Sequence, residues 1–122
     1  MLNRGVVYTV YGDVEKYMEE ACRSLASLRR HHPDISTALV ASEPNSLFDI
    51  CITRKDLPNE AEGFRTEEKY GTKIDLVHLS PFEKTLFLDT DTVVLGDLSY
   101  GFQLLEELSI YSLARGLART GT

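Results

Sequence analysis

The sequence predicts an α/β fold: a mostly parallel central sheet flanked by helices, in one domain spanning residues 1–122. Three observations carry the prediction. Short runs rich in β-branched and aromatic residues alternate with longer stretches of helical period. Apolar residues make up 43% and charged residues 26% of 122 positions, an ordinary globular balance with enough chain for one core. One apolar run, Leu86-Phe87-Leu88, ends in Asp89-Thr90-Asp91, an acidic pair at the kind of strand end where open α/β sheets place ligands.

Gly5 to Tyr11 reads as the first strand, with Val6, Val7, Tyr8, Thr9 and Val10. Gly12-Asp13 breaks it. Asp13 is a good N-cap and Glu15 suits the first turn, so a helix runs from there to about His31. Tyr17, Ala21, Leu25 and Leu28 recur at helical spacing, Met18 and Cys22 lie alongside, and Arg29 and Arg30 precede the Pro33 stop. Ser36 to Ala41 is the second strand, Glu43 to Ser46 a turn, and Phe48 to Thr53 a short third strand. Residues 54–71 read as a long polar loop of the kind that binds or covers ligands. A helix over 72–79 ends at Ser80-Pro81, and the fourth strand runs from Thr85 to Leu88. Thr92 to Leu95 continues as a short extended segment. Tyr100 to Leu108 is helical through Phe102, Leu105 and Leu108, and Ser109 to Ala114 has the pattern of a last strand.

A net charge of −6 excludes a general nucleic-acid or anionic-membrane binder, which needs a basic face. No apolar stretch approaches the ~20 residues that span a bilayer. The N-terminal run is short and lacks a cleavage site, so the expected location is cytoplasmic. Cys22 and Cys51 fit no metal or redox spacing and are expected to be reduced core thiols. His31, His32 and His78 are expected at helix ends or the surface.

Asp89 and Asp91 carry the chemistry. In extended chain, residues i and i+2 share a side about 6.5–7 Å apart, so both carboxylates can face one hard cation. Mg²⁺, Mn²⁺ or Ca²⁺ suits such oxygen donors, and Mg²⁺ and Mn²⁺ keep positions open for substrate phosphates. The implied ligand is a diphosphate, whose departing oxygen the metal would stabilise.

The segment from Thr72-Lys73-Ile74-Asp75-Leu76 through Ser80-Pro81-Phe82-Glu83-Lys84 to Leu88-Asp89-Thr90-Asp91-Thr92 and Gly96-Asp97-Leu98 resembles the Asp-x-Asp region of GT-A (Rossmann-like) nucleotide-sugar glycosyltransferases. It is most similar to glycosyltransferase family 8, which includes glycogenin and bacterial lipopolysaccharide galactosyl- and glucosyltransferases. The likeness covers most of residues 5–115 and is strongest over 72–98. It implies a UDP-sugar donor, UDP-glucose or UDP-galactose, an unknown acceptor, a Mn²⁺ or Mg²⁺ ion, and retention at the anomeric carbon. Asp91 would bind the metal; Asp89 would share it and contact the donor ribose. Lys73, sixteen residues before Asp89, would reach the donor sugar or diphosphate and, with Asp91, make up the catalytic pair. Thr9, Val10 and Tyr11 would line the base and ribose pocket, Tyr17 would stack on uracil, Arg65 would pair with a phosphate, and Thr90 would sit in the donor site.

The chain departs from that family in its second half. Only 31 residues follow Asp91, and no histidine follows His78 to complete a metal site. The expectation is a minimal or truncated GT-A domain, with an unfinished sheet edge that favours a homodimer. Two alternatives stay open. A non-catalytic nucleotide-sugar-binding module would keep the same pocket. A haloacid-dehalogenase-like phosphatase would use Asp89 as nucleophile and Asp91 as acid/base, although its motif normally opens the fold.

Overall fold

In the computed structural model, which describes residues 2–55, 57 and 79–108, strand β1 (Leu2–Thr9) leads to helix α1 (Val14–His31). Strands β2 (Ser36–Ala41), β3 (Ile50–Thr53) and β4 (Phe82–Leu88) follow, then helix α2 (Ser99–Leu108). The four strands form one sheet in the order β3-β2-β1-β4, and every neighbouring pair is parallel. The expected α/β architecture with a parallel sheet is therefore present. The loop and helix expected over 56–78, except Leu57, and the strand and tail beyond 108 lie outside the described residues.

Alternation along the strands makes two apolar layers. Val6, Tyr8 and Val10 from β1 and its end join Leu39, Ala41, Leu86 and Leu88 on one face. Ala21, Leu25 and Leu28 of α1, together with Val94, Leu98 and Phe102, cover that face. Val7, Tyr11, Ala38, Val40 and Phe82 pack on the other, with Ile50, Ile52, Leu57, Leu79 and Phe87 against them. A parallel sheet buried on both faces needs such unbroken apolar strands.

α1 begins as its sequence requires. Gly12 takes a φ of 85°, the left-handed region open to glycine, and this turns the chain out of β1. The Asp13 carboxylate then accepts the Lys16 N–H at 3.3 Å. At the far end, His32 donates its N–H to Leu28 O at 2.8 Å, and Arg29, Arg30 and His31 occupy the last turn.

Several element boundaries differ from expectation: β1 ends at Thr9 rather than Tyr11 and α2 starts at Ser99 rather than Tyr100. β1 starts at Leu2 and β4 at Phe82 because each extends the other: Leu2 pairs with Phe82 and Arg4 with Lys84. The Phe82 ring lies over Gly5, where any Cβ would overlap it. β3 starts at Ile50, two residues late, because the residues before it are used elsewhere. Phe48 turns into the core edge-on to Tyr8, with ring centroids 5.7 Å apart. Asp49 takes the Thr37 N–H at 2.8 Å, the Thr37 hydroxyl at 3.0 Å and Arg29 Nη2 at 3.0 Å. Desolvation alone would raise the Asp49 pKa; these donors outweigh it and hold the carboxyl below its ordinary range. The cysteines also need correcting. Both are free, but Cys22 is only half-buried and Cys51, on edge strand β3, is exposed, so they do not make a pair of core thiols.

Candidate functional site

β1 runs through α1 into β2 on one side, while β4 lies on the other side of β1. The edge outside the carboxyl ends of β1 and β4 is thus the point where strand order reverses, the usual ligand position in open α/β sheets. Tyr8 pairs with Leu88, so Thr9 and Asp89 leave the last rung of that ladder side by side. Thr9, Val10, Tyr11, Asp89, Thr90 and Asp91 all gather at this edge, and Tyr17 lies in the first turn of α1 just beyond it. Lys73 and Arg65 lie outside the described residues.

Each gathered residue has a definite setting. Thr9 is half-buried. Val10 buries its side chain in the α1-facing layer and donates its N–H to Val40 O at 2.8 Å. Tyr11 is buried in the opposite layer. Tyr17 is half-buried against the α1-facing layer, and Lys16 Nζ stands 5.5 Å from its ring centroid.

The acidic pair is not in extended chain. β4 stops at Leu88, and residues 89–92 form a tight turn. The Asp89 carbonyl accepts both the Thr92 N–H at 3.1 Å and the Thr92 hydroxyl at 2.7 Å. This corrects the separation expected from strand geometry, because a turn draws residues i and i+2 closer than extended backbone does. Asp89 is half-buried and Asp91 exposed. Beyond the turn the chain is extended without a strand ladder among the described residues. Its exposures alternate: Thr92 2%, Val93 53%, Val94 2% and Leu95 57%.

α1 and its C-cap residue hold this whole segment, and of the side chains that do so the sequence reading named only His32, as a helix-end or surface residue. Glu20 Oε2 accepts the Thr90 hydroxyl at 3.1 Å. Ser24 Oγ lies 3.0 Å from Thr92 Oγ1 and 2.7 Å from the Tyr8 hydroxyl. Ser27 accepts the Val94 N–H at 2.8 Å and donates to Ser24 O at 2.6 Å. His32 Nε2 accepts the Leu98 N–H at 2.8 Å, so its ring is neutral with the proton on Nδ1. Burial pushes the His32 pKa below its ordinary value; Asp97, 3.5 Å away, opposes the shift and His31 adds to it. The signal was available in part. Ser24 and Ser27 sit three residues apart among Ala21, Leu25 and Leu28, so hydroxyls interrupt the apolar face of an amphipathic helix.

Among the described residues, no group of three or more His, Cys, Asp or Glu side chains could hold a metal ion. Among the described residues, Asp89 and Asp91 are the carboxylates on the turn itself, and Glu20 reaches it through the Thr90 hydroxyl. Among the same residues, no helix is long and apolar enough to cross a membrane.

Residues 8–113 match the family model of the Rhodobacterales glycosyltransferase domain, and the match contains every one of these site residues. The chain belongs to that family. Among curated proteins, none matches it. As a glycosyltransferase domain it acts on a sugar donor and an acceptor. The sheet edge where β1 and β4 end, with the acidic turn beside it, is the glycosyltransferase domain's candidate site.

Proposed function

We propose that this glycosyltransferase domain is of the GT-A type, similar to family 8, and transfers hexose from UDP-glucose or UDP-galactose to an acceptor with the help of Mn²⁺ or Mg²⁺. The observation that carries the reading is the Asp89-Thr90-Asp91 turn at the strand-order reversal, beside the end of β1. Asp89 and Asp91 are the residues that would hold the cation. Two carboxylates are hard oxygen donors, and two protein ligands leave positions for diphosphate oxygens and water. Bound there, the cation supplies charge neutralisation for the departing diphosphate.

The chain's own residues then bind and orient the donor. Thr9, the Val10 backbone and Tyr11 border the base and ribose, and Tyr17 offers a ring for stacking on uracil. Asp89 also contacts the ribose. Lys73 and Arg65 bring positive charge to the sugar and diphosphate. Thr90 stands between the two carboxylates with its hydroxyl turned to Glu20. Retention at the anomeric carbon follows from the family-8 likeness.

The test is calorimetry of UDP binding with and without Mn²⁺, followed by UDP release from UDP-glucose and UDP-galactose. The wild type should bind UDP in a Mn²⁺-dependent way and release it. Asp91→Asn should abolish the Mn²⁺ dependence, and an unchanged isotherm in that variant would sink the assignment. Lys73→Ala should weaken turnover more than UDP binding. Binding without release on any acceptor would favour the donor-binding module. Hydrolysis of p-nitrophenyl phosphate without nucleotide binding would favour the phosphatase.

A further inference from the structure

Hydrogen counting gives the hydroxyl cluster beneath the acidic turn a single direction. Thr92 has one hydroxyl hydrogen, which it gives to the Asp89 carbonyl at 2.7 Å. In the 3.0 Å Ser24–Thr92 bond, Ser24 must therefore donate. Its only hydrogen is then used, so Tyr8 must donate in the 2.7 Å Tyr8–Ser24 bond. Tyr8 is fully buried, and burial pushes its phenol pKa far up, so it keeps the proton it donates. Tyr8, Ser24 and Thr92 are all buried, and no buried side-chain polar atom among the described residues lacks a partner. The chain runs Tyr8 to Ser24 to Thr92 to the Asp89 carbonyl, from β1 through α1 to the end of β4.

We propose that Ser24 and Thr92 are positioning residues for the acidic turn: with Tyr8 as first donor, they form a buried one-way hydrogen-bond chain that sets the placement of Asp89 and Asp91 relative to the end of β1. The proposal rests on reading that turn as the site of the nucleotide diphosphate and its cation. Tyr8 immediately precedes Thr9, so the same chain joins the strand that borders the nucleoside to the turn that faces the diphosphate. Hydrogen bonds in such a series strengthen one another, and a buried set is costly to leave half-satisfied. Glu20 adds a second tie from α1 by taking the Thr90 hydroxyl. Asp91 stays exposed between two threonines that α1 holds.

The experiment compares Thr92→Val, Thr92→Ser and Thr37→Val in two measurements. The first is UDP affinity in saturating Mn²⁺. Thr92→Val keeps the shape and loses the hydroxyl, and should bind about tenfold more weakly. Thr92→Ser restores the hydroxyl and should stay within about twofold of the wild type. Thr37→Val breaks a buried hydroxyl contact remote from the turn and should lower the melting temperature without changing UDP affinity. The second measurement needs no ligand: the NMR amide signals of Asp89, Thr90 and Asp91, and their hydrogen exchange. These should shift and exchange faster in Thr92→Val and stay in place in Thr92→Ser. Wild-type affinity in Thr92→Val, or equal losses in the Val and Ser variants, overturns the proposal. If the wild-type protein itself binds no UDP with Mn²⁺, the donor-site reading fails, and the amide signals alone decide the positioning role. Unmoved signals in Thr92→Val then overturn it, and signals moved in Val but not in Ser uphold it.

Discussion

Ser27→Ala reverses the sign expected of a serine-to-alanine change in a helix. Alanine is the better helix former, by about 0.5 kcal/mol, so an ordinary mid-helix Ser→Ala change stabilises. Ser27 is not ordinary. Its hydroxyl accepts the Val94 N–H at 2.8 Å and donates to Ser24 O at 2.6 Å, and both Ser27 and Val94 are buried. Removing it leaves the Val94 N–H without an acceptor, at a cost of about 1–3 kcal/mol. The Ser24 carbonyl loses only a second donor, because the helix backbone still serves it. The difference is a net destabilisation of about 0.5–2.5 kcal/mol. In urea, with a slope of about 1–3 kcal/mol/M, the middle of both ranges corresponds to a midpoint lowered by about 0.75 M. The assay is equilibrium urea unfolding followed by circular dichroism, with the slope checked for constancy. A variant as stable as the wild type, or more stable, would refute the claim that α1 holds residues 90–98 through buried hydrogen bonds.

Tyr8→Phe tests the direction of the hydroxyl chain: it removes only the first donor, every later hydrogen keeps its acceptor, and urea midpoints should show a smaller loss than in Thr92→Val. Equal losses would contradict the one-way order. His32 predicts a pH dependence. Its folded-state pKa lies below the ordinary 6.5 because burial disfavours the imidazolium, so the unfolded chain takes up a proton that the native state refuses. Stability from this group is therefore complete above about 6.5, falls as pH drops through that value, and levels off below the depressed folded value. Urea midpoints between pH 7.5 and 5.5 should fall less in His32→Gln, and parallel slopes in the two proteins would count against the assignment. Gly5→Ala should cost about 1–3 kcal/mol, because its methyl meets the buried Phe82 ring. Gly5→Ala/Phe82→Leu should recover part of that loss in a thermal melt, and an unshifted melting temperature in the single variant would show that the ring moves aside freely.

The order of the described elements was legible because each signal was local. β-Branched runs marked β1 and β2, Asp13 and Pro33 bounded α1, and the Ser36–Ala41 strand appears with both ends as expected. The errors arise where a distant partner decides. β1 begins three residues before Gly5 because β4 extends far enough to pair with Leu2. β3 loses Phe48 to the ring of Tyr8 and Asp49 to Thr37 and Arg29, contacts that no window along the chain contains.

The acidic motif shows the same division at the site itself. Asp89 and Asp91 could be picked out by residue type and by the apolar strand before them, but their geometry could not. Read alone, Asp-Thr-Asp-Thr-Val-Val-Leu alternates like a strand, and its threonines favour one. Those threonines instead close the turn and fasten it. Thr92 doubles back onto the Asp89 carbonyl, while Thr90 and Thr92 reach Glu20 and Ser24, 70 and 68 residues away in sequence. Helical periodicity counts the large apolar side chains of α1 and passes over Ser24 and Ser27, because a small hydroxyl on an apolar face has no meaning until its partner is known. The carboxylates thus mark the proposed site by residue type, and the threonine hydroxyls shape the turn that carries them. A search for related sites should therefore look not only for the acidic pair but for threonines beside it and for small hydroxyls on the apolar face of the first helix.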